Sequence, residues 1–337
     1  MKRIRWIAAL LALFVPLSLT ACTPAAPVEQ PESEPTPATP TSTAVPEPPD
    51  FRIIGYFYGM DGVLDPAVLQ YLTHINYAFA LPNADGTLQT LANGWKLSAL
   101  VEQAHASGVQ VLISVGGWGW DEQFEALAAA PESRAVFAQA VADLVAEYDL
   151  DGADIDWEYP GPGYVSSQNF TLLIQAVRDA LPQDKLLTAA VAAYGEGADG
   201  NGDEALALFD FVNVMAYDAP PAEHATLQFS ADALAYWRER GLPAQRLTLG
   251  VPFYSRPGEA PWREILPAAG GQTDLLDQDH LNINGQEEYF NGITTLQQKT
   301  DLAKEQAGGI MIWELTHDVQ GDMSLLKTIF DQSKTGE

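Results

Sequence analysis

The sequence predicts an α/β protein, a single-domain (β/α)8 (TIM) barrel, and three observations predict it. About 290 residues follow a low-complexity leader, a length that suits one barrel better than two ordinary domains. Short apolar runs rich in β-formers alternate with helical patterns every thirty to forty residues or so, the mark of repeated βα units. The chemically suggestive clusters fall at the carboxyl ends of those runs, where a barrel of this class keeps its functional groups.

The leader comes first. Lys2, Arg3 and Arg5 precede an apolar stretch from Ile7 to Leu19, and Leu19-Thr20-Ala21-Cys22 offers small residues at a processing point. Residues 1–22 therefore read as a bacterial lipoprotein signal peptide with Cys22 as the lipidated residue, and Pro16 argues against a permanent membrane span. Cys22 is the sole cysteine, so no disulfide framework is available. Residues 23–50 are rich in Pro, Thr, Ser, Glu and Ala and cannot bury a core, so they are expected to be a disordered tether. The expected location is outside the cytoplasm, lipid-anchored to the bacterial cell envelope. The formal charge of −28 excludes nucleic acid as a partner, whereas a neutral or cationic polysaccharide is acceptable.

Residues 51–337 hold the barrel. Strands are expected near Arg52–Tyr58, His74–Phe79, Gln110–Val115, Gly152–Trp157, Leu186–Ala192, Phe211–Ala216, Leu247–Phe253 and Gly309–Trp313. The clearest helices are Lys96–Ala106, Glu132–Glu147, Asn169–Ala180, Ala231–Arg240 and Thr294–Glu305, with Ser324–Gln332 closing the ring and Gly108 and Gly241 as stops.

The fourth strand organises the chemistry. In Asp151-Gly152-Ala153-Asp154-Ile155-Asp156-Trp157-Glu158, side chains two apart share a face, so Asp154, Asp156 and Glu158 point one way while Ile155 and Trp157 point the other. Three carboxyls on one buried face cannot all ionise. Protons must be shared and at least one pKa raised, which keeps a general acid protonated near neutral pH. A calcium loop does not fit, because Gly152 and Trp157 are not calcium-loop residues at the required spacing. Trp157, facing away from the carboxyls, is expected to pack between strand and helices. The five histidines show no ligand spacing, so neither metal nor cofactor is expected and His74, His105, His224, His280 and His317 read as structural or surface residues. Asp199, Asp203, Glu287 and Glu288 read as solvated loop charge, and Trp120 and Trp262 as either groove lining or packing.

The run Asp151–Glu158 resembles the D-G-x-D-x-D-W-E signature of family 18 glycoside hydrolases, the chitinase family. Further motifs match in order: Gly55-Tyr56 in the first strand, Ser114-Val115-Gly116-Gly117-Trp118 after the third, Met215-Ala216-Tyr217-Asp218 at the sixth, Pro252-Phe253-Tyr254-Ser255-Arg256 at the seventh with Ser255 in place of glycine, and Gly308–Glu314 at the eighth. The resemblance implies a retaining, substrate-assisted hydrolysis of β-1,4-linked N-acetylglucosamine polymers. Glu158 would be the acid and base, with Asp156, Asp154 and Tyr217 as its catalytic partners. Tyr56, Phe79, Ser114, Trp118, Met215, Asp218, Tyr254, Arg256 and Trp313 would bind substrate. Non-proline cis peptides are implied at Ala78-Phe79 and Trp313-Glu314. Only Ser255 to Gly308 separates the last two strands, so the α+β wall of deep-cleft relatives is expected to be absent or reduced, leaving an open groove suited to endo attack on a chain by a monomeric enzyme. The segment after Asp218 lacks the tryptophan some chitinases place there. An endo-β-N-acetylglucosaminidase acting on N-glycans or a peptidoglycan hydrolase would use the same carboxyls, and a chitin-binding surface lectin is the alternative from another class.

Overall fold

The computed structural model describes residues 51–335, apart from 61, 162 and 220–223. The signal peptide, Cys22 and the tether predicted over 1–50 lie outside the described residues. Eight parallel strands close on themselves in the order β1, β10, β7, β6, β5, β4, β3, β2. They are β1 (Arg52–Tyr58), β2 (His74–Ala80), β3 (Gln110–Gly116), β4 (Gly152–Asp156), β5 (Leu186–Ala192), β6 (Phe211–Met215), β7 (Leu247–Pro252) and β10 (Gly309–Trp313). Between β7 and β10 an antiparallel pair, β8 (His280–Ile283) and β9 (Gln286–Tyr289), makes a small hairpin outside the barrel. The predicted reduction of the wall thus takes the form of this hairpin together with the short helices Trp262–Ala268 and Thr273–Leu276.

Strand alternation divides the apolar residues into two sets. Outward side chains, among them Val111, Ile113, Ile155, Leu187, Val212 and Leu249, meet the surrounding helices in the main core. Inward ones, Ile54, Tyr56, Ala78, Ala190, Phe211, Met215 and Met311, fill the barrel. Trp157 belongs to the outer set as expected, stacked on Phe124 with ring centroids 5.1 Å apart. Trp262 is likewise packing: it is buried and its indole N–H donates to the Met323 carbonyl at 2.8 Å.

The helical ring departs from the expected pattern in three places. Helix Asp121–Ala129 precedes helix Pro131–Glu147, separated from it by the extended residue Ala130, with Pro131 opening the second helix. Between β5 and β6 only the single turns Glu196–Asp199 and Asp203–Leu206 form, because Gly195, Gly197, Gly200 and Gly202 interrupt any longer helix. Between β1 and β2 there is one 3-10 segment, Pro66–Tyr71, entered through an Asp65 cap. Among the described residues no helix is long and apolar enough to cross a membrane.

Candidate active site

Register brings the polar residues together inside the barrel. Ser114 lies beside Asp154 on the next strand, Asp154 beside Thr188, and Asn213 beside Thr248. Asp154 therefore accepts four hydrogen bonds. Tyr56 OH and Ser114 Oγ donate to its Oδ2 at 2.7 and 2.8 Å, while Thr188 Oγ1 and Asn213 Nδ2 donate to its Oδ1 at 2.6 and 3.1 Å. Thr248 Oγ1 donates in turn to Asn213 Oδ1 at 2.7 Å, which fixes the amide's orientation. Burial raises the Asp154 pKa against these four donors.

This network corrects one expectation. Ser114, expected to touch substrate, has no exposed surface and sits beneath Asp154. Tyr56 contributes only its ring to the cavity, 5.6 Å from that of Trp313, since its hydroxyl is committed to Asp154.

Above that layer opens a cavity of about 1230 Å³ at the carboxyl ends of the strands. It brings together Asp156, Glu158, Tyr217, Asp218, Tyr254, Arg256, Trp313, Phe79, Met215, Trp118 and the Tyr56 ring. Trp118 is 78% exposed and leaves a face free for a ligand. It can stand there because Gly116 and Gly117 take φ of 115° and 92°: a Cβ on Gly116 would fall 2.2 Å from the Asp156 carbonyl, and one on Gly117 2.9 Å from the Phe79 ring. The cis peptides Ala78-Phe79 and Trp313-Glu314 are present, and Glu158-Tyr159 is also cis.

Electrostatics separates the carboxyls. Burial pushes Glu158 up to about 7; the charges of Asp121 and Asp218 add to the rise, and hydrogen bonds with Tyr159 and Asp156 oppose it. Asp156 is raised well above the carboxylate range, first by burial and then by the charges of Glu158 and Asp154. The sequence reading had the neighbouring aspartates keep Glu158 protonated; desolvation is the larger cause, and the charges that help come from Asp121 and Asp218. Asp156 Oδ1 is buried without a hydrogen-bond partner among the described residues.

Asp218 behaves oppositely. Its backbone is left-handed, at φ 60°, and its carboxylate accepts Arg256 Nε at 2.8 Å, Arg256 Nη2 at 2.7 Å and Tyr254 OH at 2.8 Å, with His224 Nδ1 3.1 Å away. Burial would raise its pKa, yet the bonds from Arg256, His224 and Tyr254 outweigh burial and hold it well below the usual carboxylate range. A carboxylate fixed as an anion thus stands in the same cavity as a carboxyl that keeps its proton.

Several residues were missed by sequence reasoning. His317 lines the cavity, as do Gly59, Met60 and Gln89–Asn93 from the loops after β1 and β2, whereas Trp120, read as groove lining or packing, takes the first of those places. His224, read as structural or surface, is buried against Asp218. Glu314 is buried, and its Oε2 accepts from the Thr316 amide at 3.1 Å. Glu288 is no solvated loop charge: it is 4% exposed and accepts from Ser255 Oγ at 2.7 Å. The Trp-Glu motif could have flagged Glu314; nothing local in the sequence marks Glu288. Among the described residues no group of three His, Cys, Asp or Glu is placed to hold a metal ion.

A retained proton, an unpartnered acceptor beside it and aromatic faces around a cleft are what a glycosidase needs to cleave between sugar rings. The model of the family described as glycosyl hydrolases family 18 matches residues 52–318, and the chain belongs to that family. It is 29% identical over 289 residues to Chitinase A1 of Niallia circulans, covering 62% of this chain and 41% of that protein. The chain therefore spans about two fifths of that relative's length. Among solved structures, the GH18 chitinase ChiB from the chitin utilization locus of Flavobacterium johnsoniae is 30% identical with a TM-score of 0.70, covering 84% of this chain and 94% of that one. A chitinase from Bacteroides thetaiotaomicron is 28% identical with a TM-score of 0.76, covering 85% and 98%.

Proposed function

We propose that the protein hydrolyses β-1,4 bonds in N-acetylglucosamine polymers, chitin or its oligomers, with retention of configuration. Glu158 protonates the glycosidic oxygen as the C1–O bond breaks. The substrate's own 2-acetamido oxygen attacks C1 from the other face, giving a cyclic oxazolinium ion. Being tethered to the ring it attacks, that oxygen is at high effective concentration. Glu158, now a carboxylate, takes a proton from the water that opens the ion. Asp156 accepts the acetamido N–H and stabilises the positive charge, Asp154 beside it tunes the shared proton through its charge, and Tyr217 donates to the acetamido oxygen. Asp218 holds the ring, and Trp313, Phe79, Met215, Trp118, Tyr254 and Arg256 form the surrounding sugar sites.

The observation that carries this reading is Asp156 Oδ1, a buried acceptor with no hydrogen-bond partner among the described residues, in the same cavity as Glu158 and Tyr217. An unmet buried acceptor is costly, and a substrate amide N–H would satisfy it. The names of the relatives support chitin as the substrate class. The test is product analysis by NMR on N-acetylglucosamine oligomers, beside 2-hydroxy glucose oligomers, a high-mannose glycoprotein and cell-wall glycan. Retained β-anomers from the first alone support the proposal. Cleavage of the 2-hydroxy oligomers would remove the acetamido nucleophile, and release from glycoprotein or cell wall alone would move the substrate. Binding without cleavage would make the protein a lectin. We further propose that Cys22 is lipidated and that residues 23–50 tether the enzyme outside the membrane; a Cys22→Ser variant should leave the membrane fraction.

A further inference from the structure

The loop after β7 carries Arg256, whose fork grips Asp218, and Glu288 in β9 holds that loop from behind. Glu288 Oε2 accepts from Ser255 Oγ at 2.7 Å and from the Gly258 amide at 2.9 Å, and its Oε1 accepts from Gln286 Nε2 at 2.7 Å. Ser255 Oγ also accepts the Ala260 amide at 3.1 Å, so one hydroxyl ties both ends of the loop to one carboxylate. The approach is close: a Cβ on Gly258 would lie 2.1 Å from Glu288 Oε1. Next to it, Arg256 and Tyr289 exchange two backbone hydrogen bonds, each 2.8 Å. The donors given to Glu288 are neutral, a costly way to bury a charge unless the charge fixes something. Ser255 is the position at which the chain departs from the glycine of its family motif, and its hydroxyl is what Glu288 holds.

We propose that Ser255 and Glu288 are positioning residues for the reaction, a latch by which the β8–β9 hairpin sets the Arg256 fork against Asp218. This rests on the reading that Asp218 and Arg256 bind the sugar at the point of cleavage. The groups facing Asp218 are Arg256, Tyr254 and His224, with Tyr217, Tyr159 and the charge of Glu158 across the cavity; Glu259 pairs with Arg256 from the loop itself. If the latch opens, Asp218 loses its strongest donor and its pKa rises, so the acid limb of activity must move to higher pH.

The experiment compares Glu288→Ala, Glu288→Gln and Ser255→Ala with the intact chain. In Glu288→Ala, kcat/KM on N-acetylglucosamine oligomers should fall between tenfold and about 100-fold, the range for a misplaced binding group. Its acid limb should move up. Glu288→Gln keeps an acceptor for Ser255 and Gly258 and should recover most of the loss, while Ser255→Ala should show the same limb movement to a lesser degree. Hydrogen exchange over residues 255–260 provides a readout independent of activity: the Gly258 and Ala260 amides should exchange faster in Glu288→Ala at unchanged global protection. Unchanged exchange, or a lower rate with the acid limb in place, would overturn the latch. If the intact chain cleaves no such oligomer, the proposed function falls, and the exchange measurement still decides the latch. Should Glu288→Ala not fold, Ser255→Ala carries the same tests, with Glu288→Gln as the variant that should keep the latch.

Discussion

The position of the basic limb tests the site most directly. Glu158 stands at about 7 rather than 4.5. At pH 6 a group of pKa 7 is protonated about nine-tenths of the time and one of pKa 4.5 about one-thirtieth, so the environment supplies roughly 30-fold more acid at that pH. With Glu158 as proton donor, the basic limb of kcat/KM on N-acetylglucosamine oligomers should be nearly level up to about pH 6, bend near pH 7 and then approach a tenfold fall per unit above it. The limb belongs to the Asp156–Glu158 pair, which share a hydrogen bond, and is read as one macroscopic value. Asp121 supplies one of the charges that raise it. Asp121→Asn should therefore move the limb to lower pH, by a fraction of a unit for a single charge outside the cleft. The assay is a kcat/KM profile from pH 4 to 9 at constant ionic strength for both proteins. A wild-type limb near 5, or an Asp121→Asn limb that stays or moves upward, would refute the argument that burial and these charges hold the proton.

Other outcomes follow from the same groups. Glu158→Gln should lose about 10²–10⁴-fold in kcat while still binding oligomers, since the amide keeps its place but has no proton to give; calorimetry on the variant separates the two. Thr188→Val removes one of the four donors to buried Asp154 and should cost about 1–3 kcal/mol, read from the urea midpoint. Lys299 is buried with its Nζ 2.7 Å from Asn291 Oδ1, and burial lowers its pKa from 10.5 to about 7. Between those values the unfolded chain binds the extra proton, so stability should rise with pH above 7, on the order of 1 kcal/mol per unit. Lys299→Met should flatten that slope in denaturation experiments at pH 7 and 9.

What was legible in the sequence was what depends on near neighbours along the chain. The period of two in Asp154, Asp156 and Glu158 assigned a face, and strand geometry delivered it. The same alternation sent Ile155 and Trp157 outward. Helix Asp121–Ala129 went unread although Asp121 and Glu122 stand in its first turn and Phe124 and Leu127 are buried, and so did the break of the fifth helix in its run of glycines. The supporting groups were not legible, because they act across the fold. Ser255 and Glu288 are 33 residues apart, Tyr56 and Asp154 are 98, and Tyr58 and Glu314, joined through the Tyr58 amide, are 256. No pattern within one strand or helix encodes such pairs.

That difference bears on how the cleft was adapted. The proton and its unpartnered neighbour sit on the barrel floor, where register places Ser114, Asp154 and Thr188 side by side and any change leaves a buried carboxylate short of a donor. Arg256, by contrast, reaches Asp218 from a loop backed by a separate two-stranded hairpin. Substitutions in the floor should therefore cost stability and activity together. Those in the hairpin should cost activity while the barrel stays intact, and the pair Thr188→Val and Glu288→Ala puts this to the test. Equal loss of stability in both would mean that hairpin and barrel form one cooperative unit, and that the grip on Asp218 cannot be adjusted independently of the fold.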